Sequence, residues 1–371
     1  MPGTPFDAAG PLLHLIGAAQ WRVALDAGTV ADASLVTAGF IHLSRPDQVT
    51  FPADRLFTAR QDLLMLVVDP ARLRDEVRWE PGTPEDPESM RFPHLYGSLP
   101  VAAVTNVLPY RPGPDGSFAP PSGIPPIGDP LARATAFERS LAERRAAAVV
   151  PVAGGVACLD PRVPASWEHN SLWLTGDVDA ATIVAEADRV LAPFPHRRVV
   201  TFRPPPAALD WEVDELRLQV LDADAPEPSV PAGRVVAVTQ EVMAGLWAPS
   251  WQREHPGIDD DAVADLVRRE SFAAAHARIV DLAVLGDDGV PVAGTQLRID
   301  GATAAIEAVM TAPSSRRKGH GAALVGDAIR RARSAGCDVI WLLCRADDWP
   351  RRWYERMGFV DIGCRWDAVR A

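Results

Sequence analysis

Apolar positions fall into three groups along the chain, separated by two stretches that keep neither a helical nor a strand period. The first group opens with the run Leu12 to Ile16. Ala18 to Ala27 then predicts a helix with Gly28 as its stop, because glycine accepts the left-handed conformation in which helices commonly end. Leu63 to Val68 is a continuous apolar run closed by Asp69-Pro70 and predicts a buried strand, as does Val101 to Val107. In the second group, strands are predicted at Ser171 to Thr175, Arg198 to Phe202 and Leu216 to Leu221. A helix from Ala180 to Leu191 lies between the first two, with Ile183, Ala187 and Leu191 on one face. The third group has strand patterns at Ile279 to Leu285, Pro291 to Ile299 and Ala304 to Met310. A loop SSRRKGHG follows, then a helix from Ala322 to Ser334 stopped by Gly336, and a strand from Val339 to Cys344.

Between the first two groups, Pro109 to Pro130 holds eight prolines and four glycines in 22 residues, a density that neither helix nor sheet absorbs. It reads as a linker or as an extended strap lying on a surface. Asp222 to Gly233 is a weaker seam of the same kind. The expected organisation is a compact α+β unit at 1–110, a linker at 111–130, a β-α-β lobe at 131–222, a linker at 223–233 and a last domain at 234–371.

Composition narrows the function. Hydrophobic residues make up 47% of the 371, which excludes a globally disordered chain. With 37 Lys+Arg against 49 Asp+Glu, the formal net charge is −12, the wrong sign for a general nucleic-acid partner. The four cysteines form no C-x-x-C pair, so neither a disulfide framework nor a metal site is expected. The chain starts without a cationic, apolar leader, and its longest apolar stretch, Ala146 to Leu159, is broken by Pro151 and two glycines. The expectation is a soluble cytoplasmic protein with no membrane partner; oligomeric state is left open.

The chemistry concentrates in the last domain. Gly319 and Gly321 bracket His320 where a strand gives way to a helix, so backbone N–H groups there lack helical partners and can face an anion. Arg316, Arg317 and Lys318, the sole lysine of the chain, add three cations in the same turn. The spacing is neither G-x-x-x-x-G-K-[ST] nor G-x-G-x-x-G but R-x-x-G-x-G. Arg316-Arg317-Lys318-Gly319-His320-Gly321-Ala322 resembles the acyl-CoA motif of the GCN5-related N-acetyltransferase (GNAT) superfamily. Val292-Ala293-Gly294 and Ile306-Glu307-Ala308-Val309 are similar to strands of that family, and Tyr354-Glu355-Arg356-Met357-Gly358-Phe359 to its closing Y-x-x-x-G-F signature.

The resemblance implies a split between two parallel strands that takes acetyl-CoA or another acyl-CoA. The pantetheine arm would pair with backbone around Val309 and Thr311, and the pyrophosphate would sit on the amides from Arg317 to Gly321. Tyr354 would be the general acid for the leaving thiolate, and Glu307 the candidate base, directly or through water, for an attacking amine. The acceptor would be an amine of a small molecule or peptide, attacking directly in a ternary complex. Where the family often has asparagine, this chain has Asp347, which puts its contact with the cofactor in doubt.

The middle lobe has no comparable loop, only an isolated Gly154-Gly155, yet its β-α-β order fits a degenerate GNAT-like copy of a tandem pair; Glu168-His169-Asn170 is a polar cluster before its first predicted strand. In the first segment His14, His42 with Ser44, and His94 with Tyr96 recur in apolar phrases. These phrases resemble a family of short bacterial proteins of unknown function with an ADP-ribosyltransferase-like fold, which would place all five residues along a cleft. The activating glutamate of many such transferases has no clear counterpart, since Glu80, Glu85 and Glu88 fall in a proline-rich loop. The alternative function is therefore an NAD- or nucleotide-directed activity of the first domain, with the acetyltransferase-like region as sensor or scaffold.

Overall fold

The computed structural model describes residues 10–83, 86–227 and 234–370, so Glu85 and the end of the second seam lie outside the described residues. The chain divides into two compact units. One holds the chain up to Ser140 with Asp300–Thr303 and Ala335–Cys337; the other holds Leu141–Ile299, Ala304–Ser334 and Asp338–Ala371.

The first unit is built from β1 (Leu12–Gly17), α1 (Ala18–Ala27), β2 (Thr29–Val30), α2 (Ala33–Thr37), β3 (Ile41–His42), α3 (Thr50–Leu56), β4 (Leu63–Val68), β5 (Val77–Pro81), β6 (Arg91–Leu95), β7 (Leu99–Pro100) and β8 (Val104–Pro109). They form three small sheets, ordered β1-β4-β8, β3-β6-β5 and β2-β7. The unbroken apolar run of β4 follows from its place between two cores. Leu64, Leu66 and Val68 pack with Trp21, Leu25 and Val104, while Leu63, Met65 and Val67 pack with Val49, Ala53 and Phe118. Gly28 ends α1 at φ 77°, as its glycine predicts.

The proline-rich segment is a strap. Tyr110 and Phe118 meet with ring centroids 5.0 Å apart, the Tyr110 hydroxyl donates to the Ala119 carbonyl at 2.8 Å, and the Phe118 amide donates to Asp54 at 2.8 Å. The first unit therefore runs past residue 110, because apolar side chains of the strap complete one of its two cores. Phe118→Ala is expected to cost about 3 kcal/mol of that unit's stability, the usual loss for a buried phenylalanine, read as a lower denaturant midpoint at unchanged slope.

The second unit carries α4 (Pro130–Arg145, beginning in the first), β9 (Ala148–Val152), β10 (Gly155–Leu159), β11 (Ser171–Leu174), α5 (Ala180–Val190), β12 (Arg197–Thr201) and β13 (Glu212–Leu221). After the second seam come β14 (Val236–Val238), α6 (Gln240–Glu254), α7 (Asp260–Arg268), α8 (Glu270–Ala274), β15 (Arg278–Leu285), β16 (Pro291–Asp300), β17 (Thr303–Thr311), α9 (His320–Ser334), β18 (Val339–Arg345), α10 (Pro350–Glu355) and β19 (Phe359–Arg370). Among the described residues the strands make one eleven-stranded sheet, ordered β14-β15-β16-β17-β18-β13-β19-β12-β11-β10-β9.

That order shows a repeat with exchanged ends. In the first lobe β11 and β12 are parallel neighbours joined by α5; in the second, α9 makes the same connection between neighbours β17 and β18. Each lobe then needs a closing strand, and each takes the other's. β13, from the first lobe, lies antiparallel to β18, and β19, from the second, lies antiparallel to β12. The two exchanged strands pair with each other, with a bulge at Leu218/Gln219. Ala368 of β19 is accordingly buried with Leu172, Ile183 and Val199 of the first lobe.

Candidate functional site

The end of β17 and the start of α9 border a cavity of about 720 Å³, within the range of small-molecule sites. Its lining includes Val309, Met310, Thr311 and Ala312 from the strand, Arg316, Arg317, Gly319, His320, Gly321 and Ala322 from the loop, and Tyr354 with Trp353 from α10. Most of the residues expected to hold a cofactor thus share one wall. β17 reaches it through an irregularity: Ala308 has φ 52°, a left-handed conformation costly for a residue with a Cβ, and such outliers gather at functional sites. The Thr295 hydroxyl donates to the Glu307 carbonyl at 2.7 Å and the Ala312 amide to the Val292 carbonyl at 2.9 Å, pinning the strand on either side of it.

The loop is shaped by two left-handed residues, Arg317 at φ 61° and Gly319 at φ 77°. Position 321 favours glycine for a different reason: a Cβ on Gly321 would stand 3.3 Å from the Trp353 ring, a tight contact. Arg316, Arg317 and Lys318 are exposed, and Arg316 also donates to the Thr311 carbonyl at 3.3 Å. Arg234, which the sequence did not single out, donates to the Lys318 carbonyl and lies 3.2 Å from the His320 Nδ1, a second basic group braced against the loop. Burial, with Arg234 and Lys318 nearby, pushes the His320 imidazole below its ordinary range, so it is neutral at pH 7. Lys318, Asp347 and the candidate base Glu307 fall outside the lining. Asp347 is exposed and faces Arg345 at 3.4 Å, while Asp348, Trp349 and Pro350 border the cavity instead.

Tyr354 is buried, its ring 4.8 Å from Trp353 and 5.9 Å from Phe359. Burial, reinforced by Cys344 and Glu307, pushes its phenol well above the ordinary value, so the group keeps its proton at neutral pH. Glu307 is half-buried, and desolvation raises its carboxyl above the usual range, partly opposed by Arg298. A protonated phenol and a carboxyl lifted towards neutrality are groups fit to give and to take a proton.

The corresponding helix of the first lobe has a different N-terminus. The Asp179 carboxylate caps α5, accepting from the Thr182 amide at 2.9 Å, so the position that would face an anion already holds a negative charge. Gly154, at φ 73°, serves the turn between β9 and β10.

In the first unit His42 and His94 meet edge to face at 5.0 Å, and Phe40 stacks on His94 at 4.0 Å. The His14 Nδ1 lies 2.9 Å from the His42 carbonyl and its Nε2 3.4 Å from Asp32. The Tyr96 hydroxyl donates to Glu80 at 2.8 Å, and Glu80 is also 3.4 Å from His94. Glu80 is therefore a residue of β5 rather than of a loop, drawn into this cluster by strand pairing. Ser44 is buried and exchanges backbone hydrogen bonds with Leu13.

Residues 242–359 match the acetyltransferase (GNAT) family, and residues 15–107 match a family described as a protein of unknown function, DUF952. The chain is similar to a GCN5-related N-acetyltransferase from Kribbella flavida at 17% identity, covering 62% of this chain and 94% of that one, with a TM-score of 0.44. A tandem GNAT protein from the clavulanic acid biosynthesis pathway is similar at 15% identity over 52% of this chain and 67% of its own, TM-score 0.39. A Caulobacter crescentus protein is 30% identical over 29% of this chain and 90% of its own, TM-score 0.26. No curated protein matches the chain.

Proposed function

From the GNAT-family acetyltransferase domain that residues 242–359 carry, we propose that the chain transfers an acetyl group from acetyl-CoA to an amine of a small molecule or peptide. The observation that carries this reading is that the R-x-x-G-x-G loop, the end of β17 and Tyr354 line a single cavity. These residues fit an acyl-CoA: left-handed Gly319 and small Gly321 keep the loop backbone open, the helix start faces an anion favourably, and three exposed cations stand beside it. When bound, acetyl-CoA supplies an activated thioester. Val309 and Thr311 would align its arm along β17, and the amides from Arg317 to Gly321 would hold its pyrophosphate. Glu307 would take the proton of the incoming amine at its carboxylate, directly or through water. Tyr354 would release its phenolic proton to the leaving sulfur.

The net charge of −12 supports a cationic amine as acceptor and argues against a nucleic-acid partner. Among the described residues no helix is long and apolar enough to cross a membrane. The alternative, a nucleotide-directed activity of an ADP-ribosyltransferase-like first unit, has less behind it, because the family matching 15–107 has no described function. What favours a separate site there is the meeting of His42, His94 and Phe40.

The test is calorimetry with CoA. Micromolar binding is expected for the natural chain, and its loss in a Gly319→Val, Gly321→Val double variant that still melts cooperatively. Unchanged binding in that variant would remove the loop from the site.

A further inference from the structure

One buried polar cluster is left over by this reading, and it joins the two lobes. The pairs Asp281↔Gln296 and Ile279↔Arg298 fix the register of β15 and β16, so Asp281, Gln296 and Arg298 share a sheet face. The two-residue turn from β16 into β17 brings Glu307 to that same face by strand alternation. Arg298 is 7% exposed and fully committed. Its Nε donates to Gln296 at 2.6 Å, one terminal nitrogen lies 3.3 Å from Glu168, and the other 3.1 Å from Glu270. Glu168, from the loop before β11 in the first lobe, also holds Arg145 at 2.5 Å and Arg269 at 3.5 Å, and Arg269 in turn reaches Glu270 at 3.1 Å. Glu307 makes no ion pair of its own among the described residues, although the Arg298 charge acts on it.

An ion pair buried this far usually adds little net stability over an apolar pair, whereas removing one partner leaves a costly unpaired charge. Its position therefore matters more than its strength. Left to itself, a guanidinium on the same face as Glu307 would pair with that carboxylate and hold it ionised and occupied. Here Glu168 and Glu270 engage both terminal nitrogens of the guanidinium.

We propose that Glu168 and Arg298 are positioning residues for Glu307: the lobe without the glycine loop supplies, through Glu168, the counter-charge that keeps Arg298 from capturing the Glu307 carboxylate. This rests on Glu307 being the base of the proposed transfer. The charged and titratable groups that act on or near Glu307 are Arg298, Glu168, Glu270, Arg145 and Tyr354. The two substitutions then have opposite signs. Glu168→Gln removes a negative neighbour and releases Arg298 towards Glu307, so Glu307 loses its proton at lower pH. Arg298→Gln removes the cation that acts most on Glu307, while Glu168 and Glu270 keep their charges through Arg145 and Arg269, so Glu307 loses its proton at higher pH.

The experiment is a carbon-13 NMR titration of glutamate carboxyls in the full chain, with the Glu307 signal assigned by its loss in Glu307→Gln. A midpoint moved down in Glu168→Gln and up in Arg298→Gln, each by about one pH unit, is expected. Glu168→Asp, which keeps the charge one methylene short, should move it down by less and stands in if Glu168→Gln fails to fold. Shifts of the same sign, or none in either variant, would overturn the proposal. The titration needs no acceptor, so it fails separately from the reading beneath it: Glu307→Gln with undiminished acetyl transfer would end Glu307's role as base even if both midpoints moved as expected.

Discussion

Tyr354→Phe is expected to lower acetyl transfer by about 10²-fold or more while leaving CoA affinity nearly unchanged, the size and pattern of a lost general acid. The substitution removes one oxygen and little else. The ring keeps its neighbours Trp353 and Phe359, so the wall of the cavity that they form with α10 stays in place. The raised phenol means that the proton is present throughout the neutral range, so the loss should not depend on pH between about 6 and 8. Turnover would be followed as thiol release from acetyl-CoA with the best acceptor from a panel of primary amines, and affinity by calorimetry. Equal losses in both would make Tyr354 a packing residue.

The second large effect concerns dissection. Residues 234–371 contain the whole match to the acetyltransferase family and the whole lining of the cavity, which makes them look like a domain that could be cut out. They lack both β13 and β12. Without them β18 becomes an exposed edge, and β19 loses both its partners, along ten positions on one side and five on the other. Such an isolated segment should be insoluble or bind CoA at least 100-fold more weakly, since unpaired inner strands expose both apolar faces and hydrogen-bonding groups. A chain starting near residue 130 keeps both lobes with the whole of α4 and should bind normally. Soluble, CoA-binding 234–371 would show that the exchanged strand is dispensable.

Local pattern was enough for elements whose own residues carry a clear period and a stop signal, β18 included, although one of its neighbours, β13, is distant in sequence. The strand at Val339 and the helices at Ala18 and Ala180 are read from periodicity and stop signals, and they appear within a residue or two of their expected ends. The loop from Arg316 to Ala322 was legible because its glycines and cations are themselves the chemistry. β19 was legible only as a signature. Its sequence FVDIGCRWDAVR mixes charge with apolar residues because Asp367 sits half-buried between Arg365 at 2.8 Å and Arg198 at 2.6 Å, and the Arg198 partner lies outside any local window. The helix at 240–254 was missed for another reason: Pro249 lies inside α6 and interrupts the expected pattern. Glu168 drew notice as part of a polar cluster, but its meaning depends on Arg298, 130 residues away. Arg234 stands beside the second seam, where nothing in the sequence marks it as a neighbour of the loop.

The exchange of closing strands also governs when this protein can become whole. During synthesis the first lobe emerges with β12 waiting for a neighbour that is 169 residues further along the chain, as the Arg198 to Asp367 pair shows. At about 5 to 20 residues per second that interval is on the order of ten to thirty seconds. The sheet holding the site cannot close before β19 has emerged and paired with β12 and β13. Until then an unfilled strand position must be kept from pairing with another nascent copy of the same chain.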